Sequence, residues 1–569
     1  MIGDARRIVR DAILTAEICV IGGGAAGITL ALQLRNSGLR VLLLESGGLK
    51  EDTATQALYE GEVADETLHS PPDKYRQRRF GGSTTIWGGR CIPFDPVDFE
   101  ARPWIPHSGW PISYDTVARW YPQANAIVEA GTFDYDARTA RYGGMRPIVA
   151  GFAPREFDVD RIERFSCPTD FAARYKHRLE AAPLLRLLLN ANVTRLVTSG
   201  DGTRVERAEV RTLDGNRFLV EAAQFVVATG GLETPRLLLA SNDVHTAGIG
   251  NTRDLLGRFY MSHIAGTMGT LRLHDAEVWH GYDIAEDGTY CRRRIALTED
   301  AQHAHSVANL VFRLHHPRIP DPAHKTGALS AIYLAKNLIS YEYGKRLAGD
   351  GPVTAGLWLR HVANLVMDPF GTSGFLLHWM RHRTLAARKF PSVIIRPRAN
   401  LFSLDFHAEQ VPQPVSRVKL GDVRDELGMP RIHVDWRYSE LDVRTVATGF
   451  TLLRQEFVES GLGDLRLDPQ EANIEAVVRR DGAYGGHHIG TVRMGDSPAT
   501  GVVDSDCRVF GVNNLYVAGS AVFPTSSQAN PTLTIVAMAA RLAQHLQARA
   551  TVPVELMRPA QISRVESYA

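Results

Sequence analysis

The 569-residue chain lacks the marks of several protein classes. Its five cysteines, Cys19, Cys91, Cys167, Cys291 and Cys507, are odd in number, far apart and free of any C-x-x-C pair. A disulfide framework and a zinc site are therefore not expected, no metal is expected at all, and a reducing compartment suits the thiols. No run of about 18 apolar residues occurs, so no transmembrane segment is expected. Residues 1–24 carry no apolar core of signal-peptide length, and the chain reads as cytoplasmic. Charge of either sign is not in excess: 64 Lys and Arg face 63 Asp and Glu, a net +1, which gives nucleic acid no basic footprint to bind. The 50 glycines and 29 prolines are dispersed, so low complexity is absent too. What remains is an ordinary globular composition at a length that implies two packed domains.

The stretch at residues 17–47 organises the rest. Ile18, Cys19, Val20 and Ile21 form the short apolar run that a buried parallel strand needs. Gly22, Gly24 and Gly27 follow in G-x-G-x-x-G spacing. The small and apolar run from Ala25 to Leu34 then reads as a helix, and Val41 to Leu44 as a second buried strand ending at Glu45. Gly22 lets the chain turn off the strand, and Gly24 leaves room for a pyrophosphate. Gly27 lets the helix pack closely, and the helix N-terminus offers unpaired N–H groups at a positive dipole end. Glu45 stands where a carboxylate accepts hydrogen bonds from an adenosine ribose. Ala25, Ala26 and Ser46 are placed beside these as cofactor-binding residues. The segment predicts a dinucleotide and leaves the choice of NAD or FAD open.

Residues 78–100 hold Gly81, Gly82, Gly88 and Gly89 around Ser83, Thr84 and Trp87, a loop whose backbone can approach a planar or anionic ligand. Its apolar Phe80, Ile86 and Trp87 argue for packing rather than free exposure. Further on, Ser113 and Asp115 open a helix running through Trp120 and Tyr121. Trp104, Trp110 and Trp120 suit either a sugar platform or, by preference, core. Residues 185–228 alternate as strands, with Val193 among them and a hairpin at Asp214 and Gly215. A buried strand then runs into Thr229, Gly230 and Gly231 and a helix. Residues 328–392 read as helical and partly amphipathic: a lid, a face for a partner or a membrane surface, or, by preference, helices covering a sheet. The last 90 residues return to cofactor-like sequence at Gly519 and Ser520, and at Asn530, Pro531 and Thr532, where proline opens an apolar helix. The expected layout places 1–105, 185–265 and 480–550 in a first domain. It places 106–184 and 266–479 in a second, with 328–392 as an insertion and 551–569 as a tail.

Taken in order, these motifs resemble the glucose–methanol–choline (GMC) family of FAD oxidoreductases. They are the N-terminal fingerprint, FGGSTTIWGG at 80–89, ATGGLETPRLLL at 228–239, GRFYMSH at 257–263, H-x-x-G-T at His487–Thr491 and VFPT…NPTLTIVAMAARLA near the end. HIGTVRMG and EQVPQPVSRVKL look nearest to sugar-oxidising, pyranose oxidase-like branches. The resemblance implies an α/β fold, a Rossmann-like FAD-binding domain with an inserted sheet-based α+β substrate domain. It implies alcohol oxidation, with His487 as the base and Asn530 as its partner; His488 is a candidate substrate contact. The implied partners are a small alcohol or carbohydrate substrate and an electron acceptor (oxygen, quinone or protein) left open, as is homo-oligomerisation. Two departures stand out. Some relatives carry a flavin-bonding histidine where this chain has Ile86, so the FAD is expected to be non-covalent. Many relatives also place an acid before the strand-end glycine, where this chain has Ala518–Gly519–Ser520. A hydroxynitrile lyase-like activity, oxidation of a non-sugar primary alcohol and a flavin-bound scaffold are the competing readings.

Overall fold

The strand Ile13–Ile21 lies at the centre of an eight-stranded sheet. It pairs in parallel with Val41–Leu44 on one side and Arg217–Val227 on the other. Its inner half is apolar at every position because helices and loops cover both faces, as a parallel sheet requires. This computed structural model describes residues 2–274, 277–338, 347, 353–395, 400–467, 471–483 and 486–550. The tail at 551–569 and parts of the 328–392 insertion lie outside them.

Arg217–Val227 explains how distant segments reach one place. Along one edge it meets Val205–Arg211 through the hairpin at Asp214 and Gly215, then, further along, the late strand Leu515–Val517 in parallel. The helix Ala25–Leu34 packs against the C-terminal helix Thr532–Ala550, in a core shared by Ile28, Leu32, Val536 and Leu542.

A second, six-stranded sheet is antiparallel, in the order Gly463–Arg466, His263–Leu273, Leu401–Glu409, Leu310–His315, Ile295–Leu297, Phe157–Asp158. The helix Glu440–Ser460 covers it. Ser439 and Asp442 form a capping box at its start and Gly461, at φ 67°, ends it in the left-handed region. At Gly449 a Cβ would sit 2.1 Å from Leu310 Cδ2, so any larger residue there forces the Leu310 side chain to shift.

Residues 106–184, expected wholly in the second domain, divide between the two cores. The helices Tyr121–Ile127 and Phe171–Glu180 bury Tyr121, Ala124, Phe171 and Tyr175 against the large sheet, whereas Phe157 joins the second core. The reason is local: Val117, Tyr121 and Ala124 fall at helical spacing and meet the C-terminal helix, where Tyr121 Oη lies 3.0 Å from Thr534 Oγ1. The helix opened by Ser113 breaks at Arg119 and Trp120 and restarts. The tryptophans take the core reading. Trp110 is wedged among Phe94, Phe99 and Phe523 with Nε1 donating to Thr525 Oγ1 at 2.7 Å, and Trp104 Nε1 donates to the Val307 carbonyl.

The two halves are fastened by a fully buried ion pair. Arg102 donates two hydrogen bonds, of 2.8 and 2.6 Å, to the two oxygens of Glu409, which also accepts from the Asn309 amide. Arg102→Met leaves that carboxylate buried without a countercharge, and is expected to cost about 3–5 kcal/mol. The shift in denaturant midpoint measures it, and an unchanged midpoint would show that the pair carries no net stability.

Candidate active site

A cavity opens at the carboxyl end of the parallel strands, the usual ligand position in such sheets. Three helix N-termini face it: Ala25–Leu34, Gly230–Ala240 and Thr532–Ala550. Gly24, the N-cap of the first, makes no side-chain cap, which leaves the amides of that turn turned toward the cavity. The wall at four points is glycine backbone. A Cβ built on Gly24, Gly88, Gly230 or Gly519 would meet no protein atom within 4 Å, so the space it would fill belongs to a ligand.

Most of the residues singled out in the sequence line this cavity. They are Gly22, Gly24, Ala25, Ala26, Glu45, Ser46, Gly82, Ser83, Thr84, Trp87, Gly88, Gly89, Val193, Thr229, Gly230, His487, His488, Gly519, Ser520, Asn530, Pro531 and Thr532. Gly27 and Gly81 do not. At Gly27 a Cβ would lie 1.8 Å from the Gly22 carbonyl oxygen, and at Gly81 (φ 96°) it would crowd Thr85 and Ala172, so both glycines shape the cradle from behind. Glu45 is occupied as well as exposed to the cavity. Oε1 accepts from the Gly47 amide at 2.7 Å and Ser46 Oγ at 3.2 Å, and Oε2 from the Gly23 amide at 2.8 Å, leaving the second lone pair of Oε2 for a ribose. Burial raises its pKa against those bonds.

Sequence reasoning missed the wall at 75–79. Arg76, Arg78 and Arg236 converge on Glu233, at 3.1, 3.2 and 3.1 Å, and Arg76 stacks over the Tyr59 ring. Burial would raise the Glu233 carboxyl, but the three guanidinium groups hold it down at about 2. The run Arg76-Gln77-Arg78-Arg79 before FGG was the available signal.

At the other end of the cavity, the Asn530 amide nitrogen lies 3.2 Å from His487 Nε2 and donates to it. His487 Nδ1 and Asn530 Oδ1 are buried without a protein partner. Burial, reinforced by Arg90, lowers the His487 pKa to about 4, so the ring is neutral, with its Nε2 lone pair held by the Asn530 amide. His488 is set differently: its ring lies over Tyr260 and near His69, and its carbonyl accepts from Ser520 Oγ at 2.8 Å. That bond gives Ser520 a structural task.

Two further histidines, unnoticed in the sequence, complete the site. His263 and His407 stand on neighbouring strands of the second sheet. Their Nδ1 atoms donate to the carbonyls of Ser527 at 3.1 Å and Gln528 at 2.5 Å. A carbonyl can only accept, so each Nε2 keeps a lone pair. Ring nitrogens of His263, His407 and His487 lie within 4.8 Å of one another, close enough to share a substrate hydroxyl or to hold a cation. Burial holds His263 and His407 well below the usual imidazole range, as it does His488. Because these rings are neutral in the fold and protonate near 6.5 when unfolded, the unfolded chain binds more protons below that pH. Stability is therefore expected to be full above about pH 7 and to fall as pH drops from 6.5 towards 4. Melting temperatures across that range measure it, and a flat profile would contradict the buried neutral set.

A dinucleotide cradle and a neutral histidine–asparagine pair share one cavity, the arrangement of a dinucleotide-dependent oxidoreductase. Comparison with known proteins agrees. Residues 412–539 match the GMC oxidoreductase family model, and 16–254 match that of pyridine nucleotide-disulphide oxidoreductase. The 2-methyl-1,2-propanediol dehydrogenase of Mycolicibacterium austroafricanum is 24% identical across 94% of this chain and 95% of its own. The C-glycoside 3-oxidase of Microbacterium trichothecenolyticum is 36% identical over 127 residues, 21% of this chain and 22% of its own. A fungal aryl-alcohol oxidase shares the fold, with a TM-score of 0.53 at 14% identity over 95% of this chain and 100% of its own. Residues 412–539 thus carry a GMC oxidoreductase domain, and the chain is similar over nearly its whole length to the propanediol dehydrogenase; it is an enzyme acting on CH–OH donors and uses FAD.

Proposed function

We propose that the protein oxidises one CH–OH group of a sugar, glycoside or cyclitol to a carbonyl. FAD, when bound, supplies a hydride acceptor at its N5. A hydroxyl inserted where Asn530 now meets His487 would donate its proton to Nε2 and accept from the amide. Asn530 can hold the oxygen without competing for the proton. The observation that carries this reading is that contact, in the cavity and with the ring neutral. The Nε2 lone pairs left on His263 and His407, beside His487, suit a substrate with several hydroxyls. The name of the C-glycoside oxidase supports the same substrate class, and that of the diol dehydrogenase supports a CH–OH donor more generally.

Two measurements test it. The rate of flavin reduction depends on His487 being unprotonated, so it is expected to stay level through neutral pH and to fall as pH drops below about 5, towards the ring's pKa of about 4. A midpoint near 6.5 would contradict the buried base. Ile86 lines the cavity where some relatives bond the flavin through histidine. Acid precipitation is therefore expected to release all the flavin into the supernatant, and yellow colour retained in the pellet would contradict non-covalent binding.

A further inference from the structure

The helices Ala355–Met367 and Pro369–Trp379 are seated the wrong way round for water-covered helices. Their polar groups hold them to the body of the protein. His361 is buried, with Nδ1 3.0 Å from Ser330 Oγ and its ring stacked on Tyr333. Asn364 donates to the Pro322 carbonyl at 2.8 Å, and Asp368 accepts from the Gly327 amide at 2.9 Å. The apolar side chains point outward instead. Leu359, Val366, Met367, Phe370 and Leu377 recur at helical spacing on the free side, with Phe370 91% and Met367 83% exposed. Among the described residues, 10 of the 22 exposed large apolar side chains fall within 353–385. A helix covering a sheet turns that stripe inward, and a solvated one does not carry it at all.

Charge says what faces the stripe. Across 353–392 there are five cations, Arg360, Arg381, Arg383, Arg388 and Lys389, against one acid, Asp368, in a chain whose net charge is +1. Arg360 and Arg381 are exposed beside the apolar residues. A second copy docked face to face about a twofold axis would set these cations against their own images. An anionic lipid surface meets both features at once: headgroups for the arginines, acyl chains for Phe370 and Leu377. No helix among the described residues is long and apolar enough to cross a membrane, so the contact is with one leaflet.

We infer that residues 353–385 form a seat for the protein on an anionic membrane surface. The seat is joined to the active site. The chain leaving it packs Phe390 against Tyr282, with ring centroids 5.1 Å apart, and Tyr282, Pro391 and Ser392 line the FAD cavity. Docking therefore brings one wall of that cavity to the lipid.

The test is flotation of the purified flavoprotein with phosphatidylcholine vesicles, with and without phosphatidylglycerol. Binding is expected only with phosphatidylglycerol, and is expected to weaken with salt. Phe370→Glu with Leu377→Glu is expected to abolish it. Arg360→Gln with Arg381→Gln is expected to weaken it by roughly tenfold or more. All variants should keep the wild-type flavin spectrum, which controls for folding and is independent of any substrate assignment. Equal binding to both vesicle types would overturn the anionic requirement. Binding to neither, with a dimer in solution that the glutamates dissociate, would overturn the lipid assignment and make this face an interface between copies.

Discussion

His487→Ala is expected to slow flavin reduction by any accepted alcohol roughly 10²–10⁴-fold, the usual contribution of a positioned base. FAD should stay bound, because the cradle is built from glycine backbone and helix ends on the other side of the cavity. The loss should appear in the rate of the reductive half-reaction rather than in substrate affinity, since the proton moves only as the reaction proceeds. His488→Ala is the control. Its ring faces Tyr260 and His69, and its contact with Ser520 is made by the backbone carbonyl, which alanine keeps. Its effect is expected to be small. If the two variants lost activity equally, or if His488 alone mattered, the assignment of the base would be wrong.

The glycines of the fingerprint are expected to separate into two kinds. Gly24 has φ −86°, open to any L residue, and a Cβ there would touch no protein atom. Gly24→Val should therefore fold with an unchanged melting temperature in the flavin-free state and bind no FAD, since the branched side chain occupies the approach to the helix amides. Gly27→Ala should do the opposite harm. Its methyl carbon would lie 1.8 Å from the Gly22 carbonyl oxygen, so the helix must move off the turn and the fold itself suffers. The visible spectrum and a thermal melt distinguish the two. A yellow Gly24→Val protein would mean that the pyrophosphate lies elsewhere.

Much of the cradle was legible because its chemistry is local. Strand, glycine turn, helix and Glu45 follow one another within about thirty residues, and spacing alone carries the argument. Asp214 with Gly215, and Asn530 with Pro531, are likewise punctuation readable in place. The other half of the site had no such signal. His263 and His407 come together only because two strands of the second sheet pair, and each histidine by itself reads as an ordinary polar residue in an apolar run. The return of Leu515–Val517 beside Arg217–Val227 is equally non-local. The division of 106–184 between two cores escaped notice because helical spacing shows that a face is apolar and not which core it meets. The insertion shows the same limit. Its amphipathic pattern was visible at Leu359 and Val366, but only the bonds of His361, Asn364 and Asp368 reveal that the polar side faces inward.

Serine and threonine around the cavity have settled roles that narrow what remains for substrate. Thr491 Oγ1 donates to the Gly231 carbonyl at 2.6 Å and Ser520 Oγ to the His488 carbonyl. Among the described residues, His263 Nε2 and Asn530 Oδ1 are buried acceptors without a protein partner, next to the base. A polyhydroxylated substrate satisfies them better than a simple alcohol, since a buried lone pair without a donor costs about 1–3 kcal/mol.

The most direct test of the account is the visible spectrum of the purified flavoprotein, held without oxygen, as sugars, glycosides, cyclitols and simple alcohols are added in turn. Bleaching of the oxidised-flavin band by polyhydroxylated compounds, and its failure in His487→Ala, is the predicted result. A band that no member of the panel bleaches, or that bleaches equally fast without His487, would contradict it.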